Sequence, residues 1–237
     1  GVERLALGGG GSRGLYEAFR DPDVEGRELC GQGQWRLLRK LVDDRQPATI
    51  GLNVSHVTAF SDGLSASERE SLVAALGPWG SRIVRAEGLP VDYVSIRLPE
   101  MLPTYQLMMR TAHTIIATAF SNEVITPGTT TTEDVVWWLR EKVRALGHGE
   151  WVPPSVSVQR AGVTPDSPLD DDEPVVIQRG DLLHTDFGIS AMGLNTDTQH
   201  VGYVLKEGET DAPEGLRQAL AVSDRLQDLH RDRLRPG

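Results

Sequence analysis

Two aspartates raise the question of chemistry. In "HTDFGISAMGLNTDTQH", residues 184–200, Asp186 and Asp197 stand eleven positions apart around a glycine-containing turn. His184 and Asp186 alternate with Leu183, Thr185, Phe187 and Ile189, the period of a half-buried strand with its polar residues on one side. The β-branched and aromatic content of "LNTDTQHVGYVL" predicts a second strand, with Ser190 to Gly193 as the turn. Symmetric pairing about Ala191 and Met192 sets Asp186 opposite Asp197, with Cβ atoms about 4.5–5.5 Å apart. Ala-Met is a poor two-residue loop, so a wider turn or a bulge at Gly193 is the alternative that would shift this register. Two ionised carboxylates at that distance repel each other unless a cation lies between them or one is protonated. Oxygen ligands suit a hard or borderline divalent ion such as Mn²⁺ or Zn²⁺, and two bridged ions would generate a hydroxide nucleophile and polarise a carbonyl. The same parity puts Asn195 and Gln199 on the Asp197 side and His200 on the other. Taken alone, the spacing also suits an exposed acidic hairpin.

The elements that must position this hairpin are well punctuated. "TTTTEDVVWWLREKVRALG" predicts a helix that Thr131 caps through Asp134, with Val135, Trp138, Leu139 and Val143 on its apolar face and Gly147 as its stop. Trp137 and Trp138 are read as packing residues. Before it, "EMLPTYQLMMRTAHTIIATAFSNEVITPG" reads as a long helix through Leu107, Thr111, Thr114, Ile115 and Thr118 that ends before Pro127-Gly128. "VPPSVSVQR" reads as a strand, and "TPDSPLDDDEP" as a solvated acidic loop without an EF-hand pattern. "PEGLRQALAVSDRLQDLHRDRLRPG" closes the chain as an amphipathic helix with Leu216, Leu220, Ser223, Leu226 and Leu229 on related faces.

Ahead of Pro99 the pattern changes. The run Gly8 to Gly11 lacks the Gly-Lys-Ser/Thr ending of a phosphate cradle and reads as a loop. Residues 27–45 read as a helix through Leu37, Leu38, Leu41 and Val42, and "ATIGLN" as a short strand. "SASERESLVAALG" has Ser65 and Glu68 at capping-box spacing and Gly77 as a stop, and "SRIVRAEGLPVDYVSIRLP" mixes strand signals with turns.

Composition narrows the function classes. At 237 residues, two domains are the working expectation. A formal charge of -10 with no Lys/Arg cluster argues against a nucleic-acid partner. One cysteine, Cys30, allows neither an internal disulfide nor a thiolate metal site, and nothing calls for an oxidising compartment, so a cytoplasmic location is slightly favoured. No run approaches the ~18 apolar residues of a membrane-spanning helix.

The stretch from about residue 100 resembles the M24 or "pita-bread" metallopeptidase family, which includes methionine aminopeptidases, Xaa-Pro aminopeptidases and the non-metal enzyme creatinase. The likeness is carried by "LMMRTAHTI", "ITPGTTTTEDVVWWL", "GDLLHTDFGI" and "LNTDTQHVGYVL". It implies an α+β chain: a partial N-terminal α/β creatinase-like domain over residues 1–99, then the first part of a pita-bread domain with a curved antiparallel sheet over residues 100–237. It also implies that Asp186, in the His-x-Asp-x-Gly strand, and Asp197 are two ligands of a dinuclear centre of Mn or Zn, with Co as a further option.

The implied activity is a metal-dependent aminopeptidase of Xaa-Pro type, acting on a peptide substrate through a metal-bridging hydroxide, with a homodimer as a family habit. The alternatives are a non-catalytic peptide-binding or assembly module and creatinase-like chemistry without metal. Three departures stand against a direct transfer. The family's further histidine and two glutamates have no counterpart after Asp197, where His230, Glu207, Glu209 and Glu214 lie in a turn or helix, so the chain reads as a fragment. Gln159 and Arg160 stand where a substrate-contacting histidine is usual. Gln199 stands where a threonine often follows the second aspartate.

Overall fold

A computed structural model describes residues 5–7, 17–19, 32–163 and 173–235. The glycine run and most of the acidic loop lie outside the described residues. The chain divides into two compact units, Gly1–Arg97 and Leu98–Gly237.

In the first unit, strands β1 (Leu5–Leu7) and β2 (Glu17–Phe19) pair in parallel. Helix α1 (Gln32–Arg45) and strand β3 (Ile50–Leu52) follow, as the leucine periodicity and the short β-branched run predict. Helix α2 (Ala66–Leu76) opens on the expected capping box. Ser65 Oγ accepts from the Glu68 amide, and Glu68 accepts from the Ser65 amide at 2.9 Å. It stops at Gly77, whose φ of 54° a residue with a side chain would adopt only under strain. Strand β4 (Ile83–Arg85) pairs in parallel with β3, so α2 is the crossover of a βαβ unit. The stretch read as strand and turn continues instead into helix α3 (Gly88–Ser95). Pro90 lies in its first turn, where a missing N–H costs nothing, and the weak β-preference of Val91, Tyr93 and Val94 does not prevail.

The second unit sets two helices against an antiparallel sheet. Helix α4 (Leu102–Ala119) is shorter than its pattern suggests, because Ser121 takes over the backbone at its end. Its hydroxyl donates to Thr118 O at 2.8 Å, while its carbonyl accepts from Val124 N and Ile125 N. The buried stripe is Met108, Ala112, Ile115, Ile116 and Ala119; of the expected face only Ile115 is in it. Thr111, Thr114 and Thr118 return their hydroxyls to the carbonyls four residues earlier, at 3.0, 2.9 and 2.9 Å. A threonine row at helical spacing is thereby satisfied without entering the core.

Helix α5 (Thr132–Ala145) forms as predicted. Thr131 and Asp134 make a reciprocal capping box, Val135, Leu139 and Val143 are buried, and Gly147 follows at φ 77°. Trp138 packs on the core, but Trp137 is 53% exposed, with the Arg140 guanidinium over its ring. Strands β5 (Gly149–Glu150), β6 (Ser155–Gln159), β7 (Leu182–Phe187), β8 (Ile189–Ala191), β9 (Leu194–Asn195) and β10 (Thr198–Tyr203) build two three-stranded antiparallel sheets, β10-β7-β6 and β5-β8-β9. One long hairpin runs through both, because β7 continues into β8 and β9 into β10. Leu183, Phe187, Ile189, Leu194 and Val156 face the buried side chains of α4 and α5 in one core.

Helix α6 (Glu214–Arg233) follows the hairpin as the amphipathic pattern predicts. None of its side chains is buried, and Leu220, Leu226 and Leu229 are about half exposed. Among the described residues, no helix is long and apolar enough to cross a membrane.

Candidate metal centre

The turn decides how the two aspartates meet. Met192 and Gly193 form it, with φ of 52° and 74°, the paired positive values that a two-residue hairpin turn requires. Ala191 therefore pairs with Leu194 and Ser190 with Asn195. The same register reaches β7, where Gln199 faces Asp186 and Thr198 faces Phe187. The facing of Asp186 and Asp197 expected from a turn at Ala191-Met192 is thus corrected: the partner of Asp186 lies two residues further along β10, and Asp197 falls at the level of Gly188.

The offset preserves parity. Leu183, Thr185 and Phe187 point inward, as do Leu194, Thr196 and Thr198, while Asp197 and Gln199 are exposed and His184 and Asp186 partly so. Asp186 and Asp197 share the outward side as diagonal neighbours, a relation that spans about 7–8 Å between Cα atoms and not the ~5 Å of a facing pair. Their repulsion is correspondingly weaker than that of a facing pair.

Gly188, between β7 and β8, is where the backbones crowd. A Cβ there would come within 2.2 Å of Thr196 O and 2.4 Å of the Trp151 ring. The neighbouring inward hydroxyls tie the break together: Thr196 Oγ1 accepts from Ile189 N at 3.0 Å, and Thr198 Oγ1 donates to Phe187 O at 3.1 Å. The glycine of the His-x-Asp-x-Gly pattern is a steric necessity.

On the outward side Asp186 is flanked by Gln199 of β10 and Ser155 of β6, and His184 by Val201 and Ser157. Gln199 Nε2 donates to Asp186 Oδ2 at 3.4 Å, and Gln199 Oε1 lies 3.2 Å from His184 Nε2. Asp186 Oδ1 is buried without a hydrogen-bond partner among the described residues. His184, Asp186 and Gln199 line a groove of about 400 Å³ with Ser155, Ser157 and Glu133. The serines of β6 follow from the period of "SVSVQ", but their arrival beside the hairpin depends on strand order, which no local pattern encodes.

The other residues singled out lie elsewhere. His200 takes the inward side opposite Thr185, as parity predicts, and meets His113 of α4 edge-on at 4.8 Å between ring centres. Arg160 is a structural residue: Nε and Nη2 each reach the Asp181 carboxylate at 2.7 Å, and Asp181 is 1% exposed. That hydrogen bond raises the guanidinium pKa further above its already high value. His230 and Glu214 are on α6, and Glu209 closes a turn by accepting from Lys206 N.

An orphaned carboxylate oxygen beside a second outward carboxylate suits an oxygen-seeking divalent ion. Two carboxylates do not complete such a site, and among the described residues no group of three or more His, Cys, Asp or Glu is arranged to hold a metal.

A model of metallopeptidase family M24 matches residues 108–237, more than half of the chain. The chain belongs to metallopeptidase family M24. Similar solved structures include an X-Pro aminopeptidase from Thermotoga maritima MSB8, with a TM-score of 0.60 and 14% identity over 90% of this chain and 53% of that one. A putative aminopeptidase P from Bacillus anthracis has a TM-score of 0.56 and 10% identity over 81% and 42%. A dipeptidase from Pyrococcus horikoshii OT3 has a TM-score of 0.54 and 15% identity over 91% and 53%. At these identities the likeness shows the fold, an α+β arrangement with a curved antiparallel sheet. The chain spans about half the length of these structures. No curated protein matches it.

Proposed function

We propose that the full protein is a metal-dependent aminopeptidase of Xaa-Pro type that releases the N-terminal residue of a peptide. The supporting observation is the outward side of the hairpin, where a family M24 chain carries Asp186, with an unclaimed buried oxygen, and Asp197 on the same side. In this reading Asp186 and Asp197 would hold two divalent ions, Mn²⁺ or Zn²⁺ before Co²⁺, with the remaining donors supplied from beyond the described residues. Such ions lower the pKa of water and polarise a carbonyl. The groove beside Asp186 gives the peptide a place to lie, and Gly188 keeps the hairpin closed so that the two carboxylates stay on one side. Residues 1–99 would be part of the N-terminal creatinase-like domain, and a homodimer is the expected assembly.

The test is hydrolysis of Xaa-Pro peptides by the full protein with Mn²⁺ or Zn²⁺, with a chelator, and in Asp186→Asn and Asp197→Asn variants. Activity that the chelator removes, and that either substitution lowers by 10³-fold or more on the order of other lost catalytic groups, supports the reading. Metal-independent turnover overturns it in favour of creatinase-like chemistry without metal, and no turnover with either metal overturns it in favour of a binding module.

A further inference from the structure

Gln199 occupies a position that the metal ligands alone do not explain. Its register places it directly opposite Asp186, and the alternation of β10 puts its side chain outward, where His184 also points. Its carboxamide meets both: Nε2 donates to Asp186 Oδ2 at 3.4 Å, and Oε1 lies 3.2 Å from His184 Nε2.

The chemistry of the three groups fixes the direction of this chain. An ionised carboxylate only accepts, so the amide must turn its NH₂ toward Asp186 and its oxygen toward His184. The oxygen in turn requires a proton on His184 Nε2. A side chain as short as threonine could not span from the position facing Asp186 to the diagonal position of His184, roughly 7–8 Å away along the sheet. With Oδ2 held by Gln199, the oxygen of Asp186 that is left without a partner is Oδ1.

We propose that Gln199 is a positioning residue. It anchors Asp186 through Oδ2 so that Oδ1 is presented to a divalent cation, and it holds His184 with its proton on Nε2. This rests on the metal-binding reading above. The geometry it relies on is that of a ligand oriented by a neighbour that is not itself a ligand, an arrangement whose loss typically weakens metal affinity by about 10–100-fold.

Two measurements on the full protein test it: Mn²⁺ affinity by calorimetry, and the His184 tautomer by ¹⁵N NMR at neutral pH without metal. Gln199→Leu keeps the volume and removes both contacts. It is expected to weaken Mn²⁺ binding by about tenfold and to release His184 from the Nε2–H tautomer. His184→Phe keeps the Gln199 contact to Asp186 but removes its anchor, and serves as the second variant should the first fail to fold; a smaller loss in the same direction is expected. Unchanged affinity in both variants overturns the proposal, as does a tautomer that Gln199→Leu leaves alone. Wild-type protein that binds no Mn²⁺, or binds it equally well as Asp186→Asn, sinks the metal reading itself; the tautomer then still reports whether the Gln199 link exists.

Discussion

Asp181, just before β7, and Asp186, near its end, are carboxylates five residues apart with opposite surroundings. Asp181 is 1% exposed and has three donors at 2.7 Å: Nε and Nη2 of Arg160 and the amide of Gln178. Asp186 has one 3.4 Å contact from Gln199 and a buried oxygen with no partner among the described residues. Folding exacts a desolvation cost at both. At Asp181 that cost is offset locally, and the result is a clamp between the end of β6 and the approach to β7. At Asp186 it is left open among the described residues, and the metal-binding reading proposed above assigns that oxygen to an ion.

The largest effect expected from this contrast is at Arg160. Arg160→Leu would leave the Asp181 carboxylate buried with a single backbone donor, a loss of roughly 3–5 kcal/mol for a broken buried pair. The Arg160 end is about 40% exposed and can return to water, so the penalty belongs to Asp181. A urea denaturation midpoint close to that of the unaltered protein would break the comparison.

At Asp186 the expectation reverses. Asp186→Asn removes a charge whose Oδ1 the fold leaves without a partner among the described residues, so stability should hold or rise by roughly 1 kcal/mol as that desolvation cost is relieved. Divalent metal binding should nevertheless be lost. Denaturation and calorimetry on the same variant separate the two, and a destabilisation as large as that of Arg160→Leu would make Asp186 a second structural carboxylate.

Much of this was legible in the chain itself. The capping boxes at Ser65-Glu68 and Thr131-Asp134, the buried stripe of α5 and the inward-outward alternation of β7 follow from local chemistry, which acts over four residues or fewer. The hairpin register did not follow, because it depended on whether Met192 would accept a positive φ beside Gly193, a choice that moves Asp197 two residues out of register with Asp186. Nor did the face of α4, where threonine hydroxyls hide in the helix's own carbonyls and imitate an apolar row. The Arg160–Asp181 clamp and the serines of β6 beside the groove depend on the strand order β10-β7-β6, which only tertiary packing decides.

The smallest effect expected is on the inward side of the same hairpin and carries the comparison to a titratable pair. His200 lies opposite Thr185, whose buried hydroxyl has no partner among the described residues, and meets His113 edge-on. Burial first, and the neighbouring His113 second, push the His200 pKa below its ordinary value of 6.5. The folded chain therefore takes up this proton less readily than the unfolded chain. The stabilising contribution is complete above about pH 6.5, declines as the pH falls through the depressed folded value, and is gone below it. The capping carboxylates Glu68 and Asp134, lowered by hydrogen bonds from Ser65 and Thr131, lose their contributions only in the more acidic carboxylate range. A thermal melt compared at pH 7.5 and pH 5 thus isolates the histidine, which is partly solvated and should move the midpoint by a few degrees at most. His200→Asn should flatten that step and His113→Gln should shrink it; a step of the same size in His200→Asn would assign it to another group and leave the outward carboxylate as the hairpin's only unsettled charge among those compared.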